Sequence, residues 1–84
     1  MKVRFILCKD KNVLYRDVEL EFIPPIGYEA QIKFEGQNKI IICKVIHGML
    51  YIDNSIINET FDKVIGREGI MVVCNVEYIG EFNG

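Results

Sequence analysis

The chain has one serine, Ser55, one histidine, His47, and no cysteine pair at Cys-x-x-Cys spacing. Serine catalysis would have to recruit Ser55, which stands where a helix cap is wanted. His47 reads as a hydrogen-bonded residue at a strand end rather than as a base. Cys8, Cys43 and Cys74 are odd in number and embedded in apolar runs. They fit reduced core thiols in a cytosolic compartment better than a disulfide framework. Apolar neighbours raise a thiol's pKa, which argues against cysteine-histidine catalysis. Cys43 and His47 are too far apart for a metal, since four residues of strand cover about 13 Å and two ligands of one ion sit about 3 to 4 Å apart. Neither a metal nor any other cofactor is expected.

Long uncharged runs are also missing. None approaches the roughly 18 residues of a membrane span. The start, Met1-Lys2-Val3-Arg4-Phe5-Ile6-Leu7-Cys8, is broken by Arg4 and closed by Lys9, far short of the roughly 7 to 15 apolar residues of a signal core. The expectation is a soluble, unexported, cytoplasmic protein with no membrane partner. Positive charge is not in excess: the net charge is −2, which removes the general attraction to phosphate and disfavours nucleic acid. Gly66-Arg67-Glu68-Gly69 has the glycines of a phosphate loop, but Glu68 puts a negative charge where the phosphate would sit.

What the chain does have is two-residue alternation. Asp17-Val18-Glu19-Leu20-Glu21-Phe22 and Tyr28-Glu29-Ala30-Gln31-Ile32-Lys33-Phe34-Glu35 each put apolar groups on one face and polar groups on the other. A pleated strand half-buried in a sheet has that pattern and a helix does not. The chain's 84 residues make one domain, 1–84, with a small core. Half of them are hydrophobic, more than so small an interior can hold, so some should face a partner.

A first strand through Val3, Phe5 and Leu7 ends at the turn Lys9-Asp10-Lys11-Asn12, and a second runs from Val13 to Ile23. Pro24-Pro25 stops it, because proline has no ladder donor and extends the residue before it. A turn at Gly27 leads into a third strand, Tyr28 to Glu35, and another at Gly36 leads out of it. Ile40-Ile41-Ile42-Cys43-Lys44-Val45-Ile46 is then apolar on both faces, with a bend at Gly48 before Met49-Leu50-Tyr51-Ile52. Ile70 to Ile79 is two-faced as well. Such strands lie in the middle of a layered structure or at a subunit contact, and these two should be neighbours. Ile56, Ile57, Phe61, Val64 and Ile65 fall at helical spacings, which predicts a short amphipathic helix over 54–66. A strand from Ile56 onward, closed by the Gly66-Arg67-Glu68-Gly69 turn, is the other reading of the same residues.

The order hairpin, long second strand, Pro24-Pro25-Ile26-Gly27, alternating strand, Gly36 turn and Ile42-Cys43-Lys44-Val45-Ile46-His47 resembles small SH3-like barrel domains of unassigned function from phage and bacterial genomes. The resemblance spans about residues 15–50 and departs from the family pattern at Tyr28, where an aspartate normally follows the glycine. It implies an all-β protein, a partly open antiparallel barrel of five or six strands, here with one short helix. It carries no catalytic residues with it.

Function is therefore expected to be non-catalytic: a binding protein of bacterial or phage origin that docks to or sequesters a partner, with an anti-defence inhibitor as one form. Two surfaces are candidates for a protein partner: the acidic ridge Asp17, Glu19 and Glu21, joined by Glu29, and the edge formed by Pro24, Pro25 and Tyr28. The alternatives are a sponge for a nucleotide or other small anionic ligand, with His47, Tyr51, Lys63 and Arg67 lining a pocket between subunits, and a structural phage assembly subunit. The two-faced strands Ile40–Ile46 and Ile70–Val76 make a homo-oligomer the expected state.

Overall fold

The computed structural model describes the backbone of residues 1–51 and 71–84, and the side chains of residues 1–49 and 71–84. Five strands appear: β1 (Lys2–Lys9), β2 (Asn12–Glu19), β3 (Glu29–Ile32), β4 (Lys39–Tyr51) and β5 (Met71–Asn83). They form one sheet in the order β2-β1-β5-β4-β3. The described residues are all β, and the helix expected over 54–66 lies outside them. No helix among them is long and apolar enough to cross a membrane.

The hairpin of β1 and β2 turns on Asp10 and Lys11, whose φ angles of 51° and 66° are both left-handed. Two left-handed residues make the type I′ geometry that matches strand twist. The ladder runs from the Lys9–Asn12 pair to Lys2–Glu19 and closes where the Leu20 N–H donates to the Met1 carbonyl at 3.0 Å. β2 therefore stops at Glu19 instead of reaching Ile23, and residues 21–23 lead on to the Pro24-Pro25 connector.

The sheet is mixed, which corrects the expectation of a wholly antiparallel one. β1 runs parallel to β5 from the Lys2–Met71 pair to Leu7–Val76, while β4 is antiparallel to both β5 and β3. The two-faced strands are neighbours, as expected. β5 is central and apolar along its first half, the character of a strand with a parallel partner.

Alternation sets the core. Val3, Phe5 and Leu7 of β1 point inward with Val72, Cys74 and Val76 of β5 and with Ile41, Cys43 and Val45 of β4. Phe34, 1% exposed, closes this interior from the chain beyond β3. β3 is shorter than its alternating pattern because residues 33–35 leave β4 for the opposite edge of the sheet. There the Glu35 N–H donates to the Tyr15 carbonyl at 3.0 Å, and Arg16 Nη1 meets Glu35 Oε1 at 2.8 Å. The open sheet is curled until its two ends touch.

β4 is continuous through Gly48, where the sequence predicted a bend. The irregularity falls two residues earlier: Val45 pairs with Val76 and His47 with Asn75, leaving Ile46 as an extra residue. A second bulge leaves Ile79 unpaired between Gly80 and Tyr78. Both isoleucines are about half exposed, at 49% and 48%, as expected for a residue that a bulge expels from the ladder.

Candidate functional site

The Pro24-Pro25 connector is ordered by its backbone. Tyr28 N–H donates to the Pro25 carbonyl at 3.0 Å, and Gly27, at φ +92°, occupies the position where a type II turn demands a left-handed residue. Gly27 N–H then donates to the Val45 carbonyl at 2.8 Å, and Val45 N–H to the Tyr28 carbonyl at 2.9 Å. These bonds tie the turn to β4 and extend the β3 ladder through it. The first proline, Pro24, is buried, whereas Pro25 is exposed, so only the second can meet a partner. Phe22 and Tyr28 pack edge to face, with ring centroids 5.6 Å apart and planes at 63°. Beside them Ile26 stands 74% exposed at the turn's tip.

The acidic ridge is largely neutralised by its own sheet. Arg4 Nε and Nη2 donate to Asp17 Oδ1 and Oδ2 at 2.7 and 2.9 Å, a two-pronged pairing. Lys2 Nζ adds a second cation at 3.8 Å. The Arg4 guanidinium holds the Asp17 carboxyl below its usual range and also lies over the Tyr15 ring at 4.9 Å. Glu19 faces the Met1 ammonium at 3.3 Å. Glu21 is exposed past the end of β2, and Glu29 stands on β3 at the opposite edge of the sheet, opposite Lys44. The four carboxylates do not form one strip.

His47 lies on the outer face of the sheet. Continuing the inward set Ile41, Cys43, Val45 would bury it, but the extra residue Ile46 reverses the parity and places His47 opposite Asn75. Around this pair the outer face opens into a cavity of about 460 Å³ that also reaches Ile6, Cys8, Ile46 and Tyr78. A second depression of about 430 Å³, reaching Arg4, Met49 and Val73, shares Ile6 and Asn75 with the first. Sequence reasoning found His47 but missed Asn75, whose signal was a lone amide inside the apolar run Met71-Val72-Val73-Cys74-Asn75-Val76.

No family model, curated protein or solved structure matches this chain. Lys63 and Arg67 lie outside the described residues, as does the Tyr51 side chain, so the four residues expected to line an anion pocket reduce to His47. Cys8 is exposed, contrary to the expectation of three buried thiols, because alternation from Leu7 turns it outward. It shares the cavity with His47, but β5 runs between their strands, a separation of about 10 Å across two strand spacings. No hydrogen bond joins the two among the described residues. Burial pushes the Cys43 thiol up to about 11 and raises Cys74 as well. Cys43 Sγ donates weakly to the Ala30 carbonyl at 3.5 Å. Among the described residues no group of His, Cys, Asp and Glu is arranged to hold a metal.

Proposed function

We propose that this protein is a non-catalytic binding protein that docks onto a partner protein through the connector between β2 and β3 and occupies the partner's surface. The observation that supports the reading is Ile26, raised 74% exposed on a hydrogen-bonded turn beside the Phe22–Tyr28 pair. Aromatic and aliphatic groups on backbone that is already ordered bind with little further loss of conformational entropy. Ile23 and Pro25 extend the apolar area, and Glu21 supplies a charge at its rim. Asp17 and Glu19, matched by cations of the same sheet, act in this reading as structural pairs rather than as contacts.

The fold behind this surface is in our reading a partly open barrel of the SH3-like kind, supported by the Tyr15–Glu35 closure and set apart by the parallel β1–β5 seam. A phage or bacterial inhibitor of a defence protein is the form of docking protein that the resemblance favours. Self-association is a further part of the proposal, through the outer side of β4 and β5, where Phe82 is exposed opposite Ile40 beside the half-buried Ile42.

Ile26→Asp tests the docking surface, because it changes an exposed tip without touching the core. Tagged wild type and variant would be used to retain proteins from a bacterial lysate, and any candidate partner then purified and mixed with each. A complex on size exclusion that forms with the wild type and is lost with the variant is the expected result. Equal complex formation by both, or no complex with either, overturns the connector as a docking surface.

A further inference from the structure

The parallel pairing of β1 with β5 ends at Leu7 and Val76, and the 460 Å³ cavity begins there. Its size is that of a small-molecule site, about 300 to 1,000 Å³. Ile6 stands on one side and Ile46 on the other, with Asn75 and His47 between them on paired strands. Asn75 also lines the adjoining depression, which puts its carboxamide at the junction of the two.

The polar groups restrict the ligand. A carboxamide presents an acceptor beside a donor in one plane, the complement of a heterocycle edge that carries a donor beside an acceptor. The imidazole of His47 adds two ring nitrogens for hydrogen bonding, and the two isoleucines suit the flat faces of a ring. The charge on the described lining favours a neutral ligand over an anion. Among the described residues the cavity is lined by the Glu77 carboxylate and by no lysine or arginine. The guanidinium of Arg4, in the adjoining depression, is committed to Asp17 through two hydrogen bonds.

We propose that this cavity binds an uncharged planar heterocycle with an amide-like edge, a nucleobase or nucleoside rather than a nucleotide, with Asn75 reading the edge and His47 beside it. The site is separate from the connector and does not rest on the docking reading.

The test titrates the ¹⁵N-labelled full chain with adenosine, guanosine, cytidine and uridine, and with their 5′-monophosphates. Saturable shifts of the Asn75 side-chain amide and the His47 ring are expected with at least one nucleoside. Losing the paired hydrogen bonds in Asn75→Leu should weaken binding about tenfold or more, while Ile26→Asp leaves it unchanged. Absence of saturable shifts with all four nucleosides at millimolar concentration overturns the proposal. So does tighter binding of a monophosphate than of its nucleoside, or undiminished binding by a folded Asn75→Leu. The wild-type chain supplies a second readout if that variant fails to fold. Cys8 lines the cavity and is exposed, so a bound nucleoside should slow its alkylation in a saturable manner. An alkylation rate unchanged at saturating nucleoside would count against the site equally.

Discussion

His47 and Asn75 face each other across β4 and β5, on the side of the sheet opposite to Val45 and Val76, which form the neighbouring pair. One extra residue, Ile46, separates the two pairs on β4 and none does on β5. The bulge puts the histidine on the outer face without disturbing the core on either side of it.

Deleting Ile46 would make Val45–Val76 and His47–Asn75 consecutive pairs, so the strand should close up with every inward residue still inward. The expected variant is folded, with His47 still on the outer face and one wall of the cavity gone. Circular dichroism with urea unfolding checks the first point. Loss of the cooperative transition would mean that the sheet's curl depends on the local twist that a bulge adds.

The three thiols should separate cleanly in a native titration. Cys8 is exposed and should react at once with a disulfide reagent at neutral pH, whereas Cys43 and Cys74 are buried, with their thiols pushed up, Cys43 to about 11. Thiolate is the reacting form, so these two should react only on unfolding. A native stoichiometry above one thiol per chain would contradict the packing of β4 and β5.

The first hairpin carries left-handed strain that glycine would relieve. Asp10 and Lys11 hold φ angles of 51° and 66°, a conformation that the short side chain of Asp10 tolerates but that is costly for Lys11. Asp10→Asn combined with Lys11→Gly should stabilise the chain by about 1 kcal/mol, a rise in Tm of roughly 4 to 8 °C for a domain of this size. An unchanged or lower Tm would show that the side chains of the native turn contribute more than the strain costs.

Among the described residues Phe34 is the largest fully buried side chain and the only core residue that comes from the segment between β3 and β4. Phe34→Ala should cost about 3 to 5 kcal/mol, a large share of the roughly 5 to 15 kcal/mol that holds a domain folded. The curl should loosen too, since Glu35 reaches Tyr15 from the next position. Urea unfolding measures the first effect, and faster amide exchange at Glu35 reads the second.

Glu81 gathers Tyr78 Oη at 2.8 Å, Lys39 Nζ at 3.0 Å and Lys9 Nζ at 3.1 Å, binding β1, β4 and β5 together at one end of the core. Hydrogen bonds from Tyr78, Lys39 and Lys9 hold its carboxyl down from 4.5 to about 2. A carboxyl whose pKa is depressed by folding stabilises the native state above its unfolded value and loses that contribution as the pH falls through the folded one. Glu81→Gln should therefore be less stable than the wild type at pH 6, and the gap should narrow between about pH 4.5 and pH 2. A gap that stays constant over that window would show that the carboxylate is not what binds the three strands.

Much of the sheet is legible in the sequence. Val3, Phe5 and Leu7 announced the inner face of β1, Pro24-Pro25 and Gly27 the connector, Gly36 the next turn, and the doubly apolar runs the central pair β4 and β5. Each signal is local: a two-residue period, a missing donor, a left-handed φ. The bulges were not legible, because Ile46 sits in an unbroken apolar run in which an extra isoleucine leaves no mark.

What the sequence by itself determined is strand formation, the identity of the inward residues on β1 and β3, and the turns at Lys9–Asn12, Pro24–Gly27 and Gly36. Each depends on neighbours a few residues away. The tertiary structure alone decided the parallel seam between β1 and β5, the curl that brings Glu35 to Tyr15, the neutralising of Asp17 by Arg4, and the meeting of His47 with Asn75. Those relations join residues distant in the chain, and they follow from strand order and register. Alternation specifies which way a side chain points but not what it will find there.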